Sequence, residues 1–131
     1  MMFNEVPFPK RFAAAAAVGF EGVEFLFPYE HPPDEVAGWL RASGLTNALF
    51  NLPPGDWAAG ERGIASLPGR EAEFRRGVET ALDYARALGT PTLHAMSGLL
   101  PHGADRAVHR VVLVENLRLA ARRAPKKVAP S

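Results

Sequence analysis

The chain has 131 residues, of which 47% are hydrophobic and 22% charged, and its net charge is +1. This composition is typical of one globular domain. The charge gives no field that would attract nucleic acid or an anionic membrane, and no apolar run approaches the ~18 residues of a membrane span. Cysteine is absent, which excludes disulfides and thiolate chemistry. The N-terminus lacks a signal-peptide pattern, so we expect a cytoplasmic protein that binds neither nucleic acid nor membranes.

Helical and strand patterns alternate along the chain. Apolar residues spaced three and four apart, helix-start signals and glycines at the ends predict helices over 9–18, 32–44, 71–88 and 104–123. Short apolar runs predict strands over 22–27, 47–52 and 91–96. On the last helix, one apolar stripe is predicted from Ala107, Val111, Val114, Leu117 and Ala121. The alternation indicates an α/β fold with βαβ units, a parallel sheet and right-handed crossovers.

A long polar segment, residues 51–70, follows the second predicted strand. Connections in compact domains usually have about 4–6 residues, and longer structured loops are often functional. Six groups in the segment are suited to contact a ligand: Asn51, Asp56, Trp57, Glu61, Arg62 and Arg70. Ligand sites of parallel α/β sheets lie at the carboxyl ends of the strands, which favours this loop as the site. The alternative is a solvated loop with ordinary turn chemistry.

Two further polar residues lie within predicted strands. A carboxylate such as Glu24 is costly inside a buried strand unless it is paired, whereas in a barrel it can face the site. The alternative for Glu24 is an acid at a strand edge that faces solvent or pairs with an arginine. His94 alternates with Thr92 and Met96, and it is either a substrate-binding residue or a satisfied core or edge histidine.

Several common functional motifs are missing from the sequence. There is no Gly-rich phosphate loop, no dinucleotide-binding fingerprint and no Gly-x-Ser-x-Gly nucleophile turn. The four histidines do not form a paired helical zinc motif, and no basic and aromatic residues interleave as in single-strand nucleic-acid binders. Local chemistry alone therefore predicts an α/β domain with one unusual loop on the site side.

A longer pattern is carried by residues 22–29 (GVEFLFPY), 51–65 (NLPPGDWAAGERGIA), 67–71 (LPGRE) and 84–89 (YARALG). This pattern resembles the hydroxypyruvate isomerase family, which belongs to the xylose-isomerase-like (β/α)₈ TIM barrels. The resemblance runs from about residue 2 to about residue 121, and the run GDWAAGERG at 55–63 is its most specific part. VENLR at 114–118 is also similar to the family pattern.

The resemblance implies an isomerase for a small-molecule hydroxy or oxo acid. The family interconverts hydroxypyruvate and tartronate semialdehyde through an enediolate, and related members act on longer acids such as 2-oxo-tetronate. It implies a divalent metal, Mg²⁺ or Mn²⁺, and paired glutamates that move the proton. Arg62 or Arg70 is expected to bind the substrate carboxylate in fork geometry. Either arginine is alternatively expected to pair with Glu61 or Glu71.

The chain departs from the family in length. A complete barrel takes about 250 residues, so the resemblance implies a partial barrel at residues 1–123, roughly the second to fourth βα units, and a disordered or unrelated tail at 124–131. The family's metal ligands and catalytic glutamates are expected beyond the chain end, and Phe50 stands where members often carry His. The alternatives to an isomerase are a non-catalytic half barrel that self-associates and one part of a split isomerase completed by a second half barrel.

Overall fold

The computed structural model describes residues 3–125, in which helices and strands alternate. The elements in chain order are α1 (Phe8–Ala17), β1 (Gly22–Glu24), α2 (Pro33–Ser43), β2 (Thr46–Asn51), α3 (Glu71–Leu88), β3 (Thr92–His94) and α4 (Arg106–Arg123). The chain forms two units. The first comprises the residues up to Pro53 together with Thr80–His94, and the second comprises Pro54–Glu79 and the residues from Ala95 on.

The three strands form one parallel sheet in the order β1-β2-β3, and all of them lie in the first unit. Val23 pairs with Asn47, and Leu49 to Asn51 pair with Thr92 to His94. Consecutive parallel strands need a long crossover between them. The segment from β1 to β2 contains α2 and the segment from β2 to β3 contains α3, as the predicted βαβ pattern requires.

The hydrogen-bonded strands β1 and β3 are shorter than the apolar runs that predicted them. Beyond Glu24 the backbone still follows β2, because Phe25 N donates to Leu49 O at 3.4 Å and Leu26 O accepts from Asn51 N at 3.0 Å. These two hydrogen bonds lie outside the regular ladder, because the pairing register shifts between Val23 and Glu24. The apolar run at 22–27 therefore predicted extended backbone correctly, but only residues 22–24 belong to the paired strand β1.

An aromatic cluster forms the core of the first unit. Phe12 is 1% exposed and Phe50 is fully buried. Phe12 contacts Phe25 with ring centroids 6.0 Å apart, and Phe25 stacks on Phe50 at 6.1 Å. Each fully buried phenylalanine contributes about 2 kcal/mol. Phe50 thus serves as a central core residue, which gives its apolar character a structural reason.

A buried asparagine secures the sheet where its register shifts. Asn47 is 2% exposed, and its Nδ2 donates to the backbone oxygens of Val23 at 3.0 Å and Leu49 at 3.2 Å. Its Oδ1 accepts from Thr90 Oγ1 at 2.6 Å. Buried polar groups are tolerated when they are fully hydrogen-bonded, and Asn47 meets that condition while it stabilises the irregular β1–β2 pairing.

The predicted apolar face of α3 is buried, whereas the predicted stripe of α4 is not. Phe74, Val78 and Ala81 are each 3% exposed or less. On α4, by contrast, Val111 is 56% and Leu117 42% exposed, and all five predicted stripe residues lie on the exposed side. The predicted stripe residues share one side of α4, and the described residues leave that side uncovered. The α4 residue that is buried is polar, Asn116.

The predicted tail at 124–131 lies outside the described residues except for Ala124 and Pro125. Within residues 3–125, none of the helices combines the length and the apolar character that crossing a bilayer requires.

Candidate functional site

In the second unit, the Arg70 side chain lies between two carboxylates, those of Glu61 and Glu73. Its Nη1 and Nη2 donate to the two oxygens of Glu61 at 2.5 and 3.0 Å, and its Nε and Nη2 donate to those of Glu73 at 2.8 and 3.0 Å. Four of the five N–H groups that a guanidinium carries are therefore occupied. Arg70 cross-links the loop to the first turn of α3, and it has little capacity left for a ligand.

Glu61 also organises the backbone of the same loop. Its Oε1 accepts from the backbone N–H of Asp56 at 2.7 Å, while Asp56 Oδ1 accepts from Ala59 N at 3.1 Å. The hydrogen bonds from Arg70, followed by that from Asp56, lower the pKa of Glu61 to about 2. Arg70 likewise lowers the pKa of Glu73. The loop is therefore closed by carboxylates that stay ionised at neutral pH.

The lowered pKa of Glu61 predicts acid-induced opening of the loop. A carboxyl group with a lowered folded pKa stabilises the folded state above its unfolded pKa, and loses that effect as the pH falls through the folded value. The cross-link should therefore be complete above pH 4.5 and lost as the pH falls from 4.5 to about 2. Carboxyl ¹³C chemical shifts of Glu61 measure this titration directly.

The control for the titration is Arg70→Gln, which removes the main cause of the shift. In this variant the Glu61 midpoint should rise toward the ordinary glutamate value. A midpoint that is the same in the wild type and in Arg70→Gln would contradict the assignment of Arg70 as the cause.

Arg62 differs from Arg70 because one edge of its guanidinium is open. The group lies 3.8 Å from the centroid of the Trp57 ring, in cation–π geometry. Its Nη1 donates to the backbone oxygens of Trp57 at 3.1 Å and Glu61 at 2.8 Å. Among residues 3–125, Nε and Nη2 of Arg62 have no acceptor, and the side chain is exposed. Nε–H and Nη2–H of an arginine can donate two parallel hydrogen bonds to the two oxygens of a carboxylate.

The end of the loop runs alongside residues 96–98 in close backbone contact. Ser66 N and Oγ both donate to Ser97 O, at 2.8 and 2.5 Å. Gly63 has a φ of +99°, and a Cβ placed on it would overlap the carbonyl oxygen and Cβ of Met96. Asn116 Nδ2 donates to Ala65 O at 2.9 Å. These contacts fix residues 63–66 and so position the adjoining Arg62.

In the first unit, the ends of β2 and β3 bring Asn51 and His94 together. They are register partners, and His94 Nδ1 lies 3.1 Å from Asn51 Oδ1. Since an amide oxygen can only accept, this contact places a proton on Nδ1. The neutral ring then presents Nε2 as an acceptor, and the exposed position of His94 makes that lone pair accessible to a ligand.

A half-buried tyrosine, Tyr29, hydrogen-bonds the backbone of Asn51. Tyr29 Oη donates to Asn51 O at 2.5 Å, and burial, with a smaller effect of Tyr84, raises the pKa of Tyr29 well above its ordinary value. The phenol therefore remains a donor throughout the physiological range. Tyr84 Oη donates in turn to His31 O at 2.6 Å. The sequence pattern did not single out these tyrosines, because their partners are backbone atoms distant in the chain.

Glu24 is exposed at the end of β1, on the side of the strand opposite the buried Val23. It lines a cavity of about 490 Å³ together with Phe3, Asn4 and Phe20. Among residues 3–125 it makes no ion pair, so the solvent-facing alternative describes its placement better than pairing with an arginine. The structure therefore gathers five candidates in the second unit and joins Asn51 to His94 in the first, where Glu24 also lies.

The metal implied by the resemblance finds no ligand set in the described part of the chain. Within residues 3–125, no three His, Asp or Glu side chains are grouped so that they would hold a metal ion. These residues do not fit such a group by themselves.

Parallel strands that alternate with helices, with polar groups in the segments after the strands, define a part of an α/β barrel. Residues 12–129 match the family described as xylose isomerase-like TIM barrel. The chain belongs to this family. The predicted fold class, a partial (β/α)₈ TIM barrel, and the predicted resemblance are confirmed.

The relatives that the chain matches include named isomerases. It is 60% identical over 121 residues to 2-oxo-tetronate isomerase of Cupriavidus necator, which covers 92% of this chain and 46% of the relative. It is 51% identical to hydroxypyruvate isomerase of Escherichia coli K12, over 92% of this chain and 47% of that protein. The chain thus spans about half the length of the curated relatives it matches.

A solved structure gives the same picture of the fold. A crystal structure of an AP endonuclease, family 2, from Brucella melitensis superposes with a TM-score of 0.89 at 56% identity. The match covers 93% of this chain and 47% of that one. The fold of the described residues is therefore that of about half of a longer chain.

Proposed function

We propose that this chain is the carboxylate-recognising part of an isomerase for small hydroxy-oxo acids. The substrate class is that of hydroxypyruvate or 2-oxo-tetronate, in which a carboxylate is attached to a carbonyl and a carbinol carbon follows. The observation that carries the proposal is the identity of 60% and 51% to two named isomerases of this substrate class. The open guanidinium edge of Arg62 supports it with a chemically suitable group.

Arg62 is the best carboxylate ligand among the candidates. Arg70 is occupied by Glu61 and Glu73, whereas Arg62 keeps Nε and Nη2 available beside the Trp57 ring. A fork of two N–H groups fixes both the position and the plane of a carboxylate. Fixing that plane orients the adjacent carbonyl, so that proton transfer between the neighbouring carbons occurs from a defined geometry.

The remaining candidates have roles that follow from their contacts. Glu61, Asp56 and Arg70 are positioning residues, because they hold the loop that carries Arg62 and Trp57. His94, with its proton fixed on Nδ1 by Asn51, offers Nε2 to a substrate hydroxyl. Glu24 is a carboxylate available to accept a hydroxyl hydrogen bond. The groups that move the proton between carbons are proposed to lie outside this chain.

The second candidate function is a half barrel without catalytic activity of its own. It is favoured by the length of the match, since the chain spans less than half of each named isomerase. In this case the chain self-associates or combines with a complementing half barrel. An assay of the purified chain with hydroxypyruvate and Mg²⁺ or Mn²⁺ tests the second candidate. The first candidate, which places the proton-moving groups outside this chain, also predicts no turnover by the chain alone, and the binding experiment below separates the two. Turnover by the chain alone would contradict the second, and activity only after a complementing chain is added would support it.

The carboxylate role predicts a specific loss of binding in Arg62→Gln. The variant removes the charged fork and should weaken binding of D-glycerate, used as an unreactive carboxylate probe, by about ten- to a hundredfold, which corresponds to the roughly 1.5–3 kcal/mol of a hydrogen bond to a charged group. Isothermal titration calorimetry measures the affinity. Arg62→Lys keeps the charge without the fork and should show an intermediate loss.

Arg41→Gln on α2 is the matched control for this experiment, and it should leave the affinity unchanged. The proposal is contradicted if Arg62→Gln binds the probe as tightly as the wild type, or if Arg41→Gln weakens binding to the same extent. Because Arg62 and Arg41 are both exposed, neither substitution should disturb the fold. A urea unfolding curve for each variant tests this.

A further inference from the structure

A separate groove in the second unit lies between two chain segments and the start of α4. It has a volume of about 500 Å³, and its lining includes Ser66, Ser97, Leu100, Arg106, His109 and Arg110. This volume falls in the range of about 300–1,000 Å³ that is usual for small-molecule sites. None of the residues assigned above to substrate recognition lines it.

The groove concentrates positive charge on one face of α4. Arg106, His109 and Arg110 are spaced three and four residues apart, so their side chains project from the same side of the helix. Among residues 3–125, Arg106 and Arg110 have no acidic partner. The nearby Asp105 carboxylate caps the helix and accepts from Ala107 N at 2.9 Å. Two guanidinium groups without acidic partners on one helix face repel each other. An anion bound between them would reduce this repulsion.

His109 supplies a second and independent observation. Its Nδ1 is buried and has no hydrogen-bond partner within residues 3–125. A buried ring nitrogen without a partner is costly whether it carries a proton or a lone pair. His109 is therefore a polar side chain in the lining of the groove, beside two arginines and the Ser66 and Ser97 segments, whose hydrogen-bonding capacity is unmet within residues 3–125.

We propose that this groove binds a small oxyanion, the carboxylate or phosphate group of a low-molecular-weight ligand. Arg106 and Arg110 provide the charge-assisted donors, and His109 adds a polar side chain with an unpartnered ring nitrogen. The amino-terminal end of α4, an 18-residue helix, adds a favourable potential for negative charge. The small volume and the confinement of the charge to one turn of the helix fit a compact ligand rather than a polymer.

The test is a titration of the full ¹⁵N-labelled chain with inorganic phosphate and, separately, with malonate, at constant ionic strength maintained with sodium chloride. Saturable shifts of the amide signals of residues 97–110 are expected for at least one anion. The anion that binds more tightly identifies the chemical group. Arg106→Gln and Arg110→Gln should each raise the dissociation constant about tenfold, and Arg106→Lys should have a smaller effect because it keeps the charge.

Two controls separate this site from general charge effects and from the proposed substrate loop. Arg41→Gln removes one positive charge from the other unit and should not change the dissociation constant, whereas Arg62→Gln removes the proposed carboxylate ligand and tests whether the anion binds the substrate loop instead. Shifts that grow linearly without saturation for both anions overturn the proposal, as does an equal weakening in Arg41→Gln. Weakening in Arg62→Gln, with Arg106→Gln unaffected, assigns the anion to the substrate loop and also overturns it.

Discussion

Gly63→Ala is expected to lower the free energy of unfolding by about 3 kcal/mol or more, from backbone strain and overlap acting together. Gly63 has a φ of +99°, a conformation that side chains with a Cβ rarely adopt. The added Cβ would also overlap the carbonyl oxygen and Cβ of Met96, and it would lie 2.6 Å from the Met96 carbonyl carbon. Because these neighbours belong mainly to the backbone, the overlap is relieved only by separating residues 63–66 from 96–98.

Gly60→Ala is the matched control, because Gly60 lies in the same loop with a φ of +97° and no atom within 4 Å of its ideal Cβ. Gly60→Ala should lower the free energy of unfolding only by what the positive φ costs a residue with a Cβ, about 1–2 kcal/mol. Urea unfolding of the three proteins measures both values. Equal losses for the two variants would show that contact with Met96 does not restrict position 63.

The same substitution has a functional consequence. Arg62 precedes Gly63, and the Ser66–Ser97 hydrogen bonds hold the segment that follows. If Gly63→Ala displaces this segment, Arg62 loses its defined position on Trp57. The quenching of Trp57 fluorescence by the adjoining guanidinium then changes, and binding of D-glycerate weakens although no ligand group has been removed.

Asn47→Ala is expected to destabilise the first unit by about 3 kcal/mol, because it leaves buried hydrogen-bonding groups without partners. The substitution removes both donors to Val23 O and Leu49 O and the acceptor for Thr90 Oγ1. These groups lie where the β1–β2 register shifts. The loss of stability is measured as the shift of the urea midpoint multiplied by the slope.

Two variants divide this effect into its parts. Thr90→Val removes only the bond to Asn47 Oδ1 and should cost about 1 kcal/mol. Asn4→Ala, at an exposed asparagine, should stay within about 0.5 kcal/mol of the wild type. A loss in Asn47→Ala no larger than that in Thr90→Val would mean that the bonds to Val23 and Leu49 do not stabilise the sheet.

Hydrophobic periodicity was sufficient to predict the elements, because it reflects local geometry. The spacing of Phe74, Val78 and Ala81 identified α3 with its observed bounds, and the short apolar runs located all three strands. On α4 the predicted apolar stripe is exposed and the buried residue is Asn116. A pattern shows that residues share a face, but which face is covered depends on the neighbouring elements.

The roles of the two loop arginines show the same limit at the candidate site. The sequence placed Arg62 and Arg70 in one polar loop and left open whether either binds a carboxylate or pairs with a nearby acid. Only the folded loop shows that Arg70 is held by Glu61 and Glu73, while Arg62 stacks on Trp57 with one edge open. Side-chain pairing depends on distances that turns create, and these cannot be derived from spacing alone.

By itself, the sequence determined the alternation of helices and strands, the parallel α/β class, the family and the loop that carries the polar candidates. Those properties depend on residue type and order along the chain. The tertiary structure decided which arginine is available, how Asn51 fixes the proton of His94, and why position 63 must be glycine. Each of these depends on contacts between residues far apart in the chain, whose distances are set only when the backbone has folded.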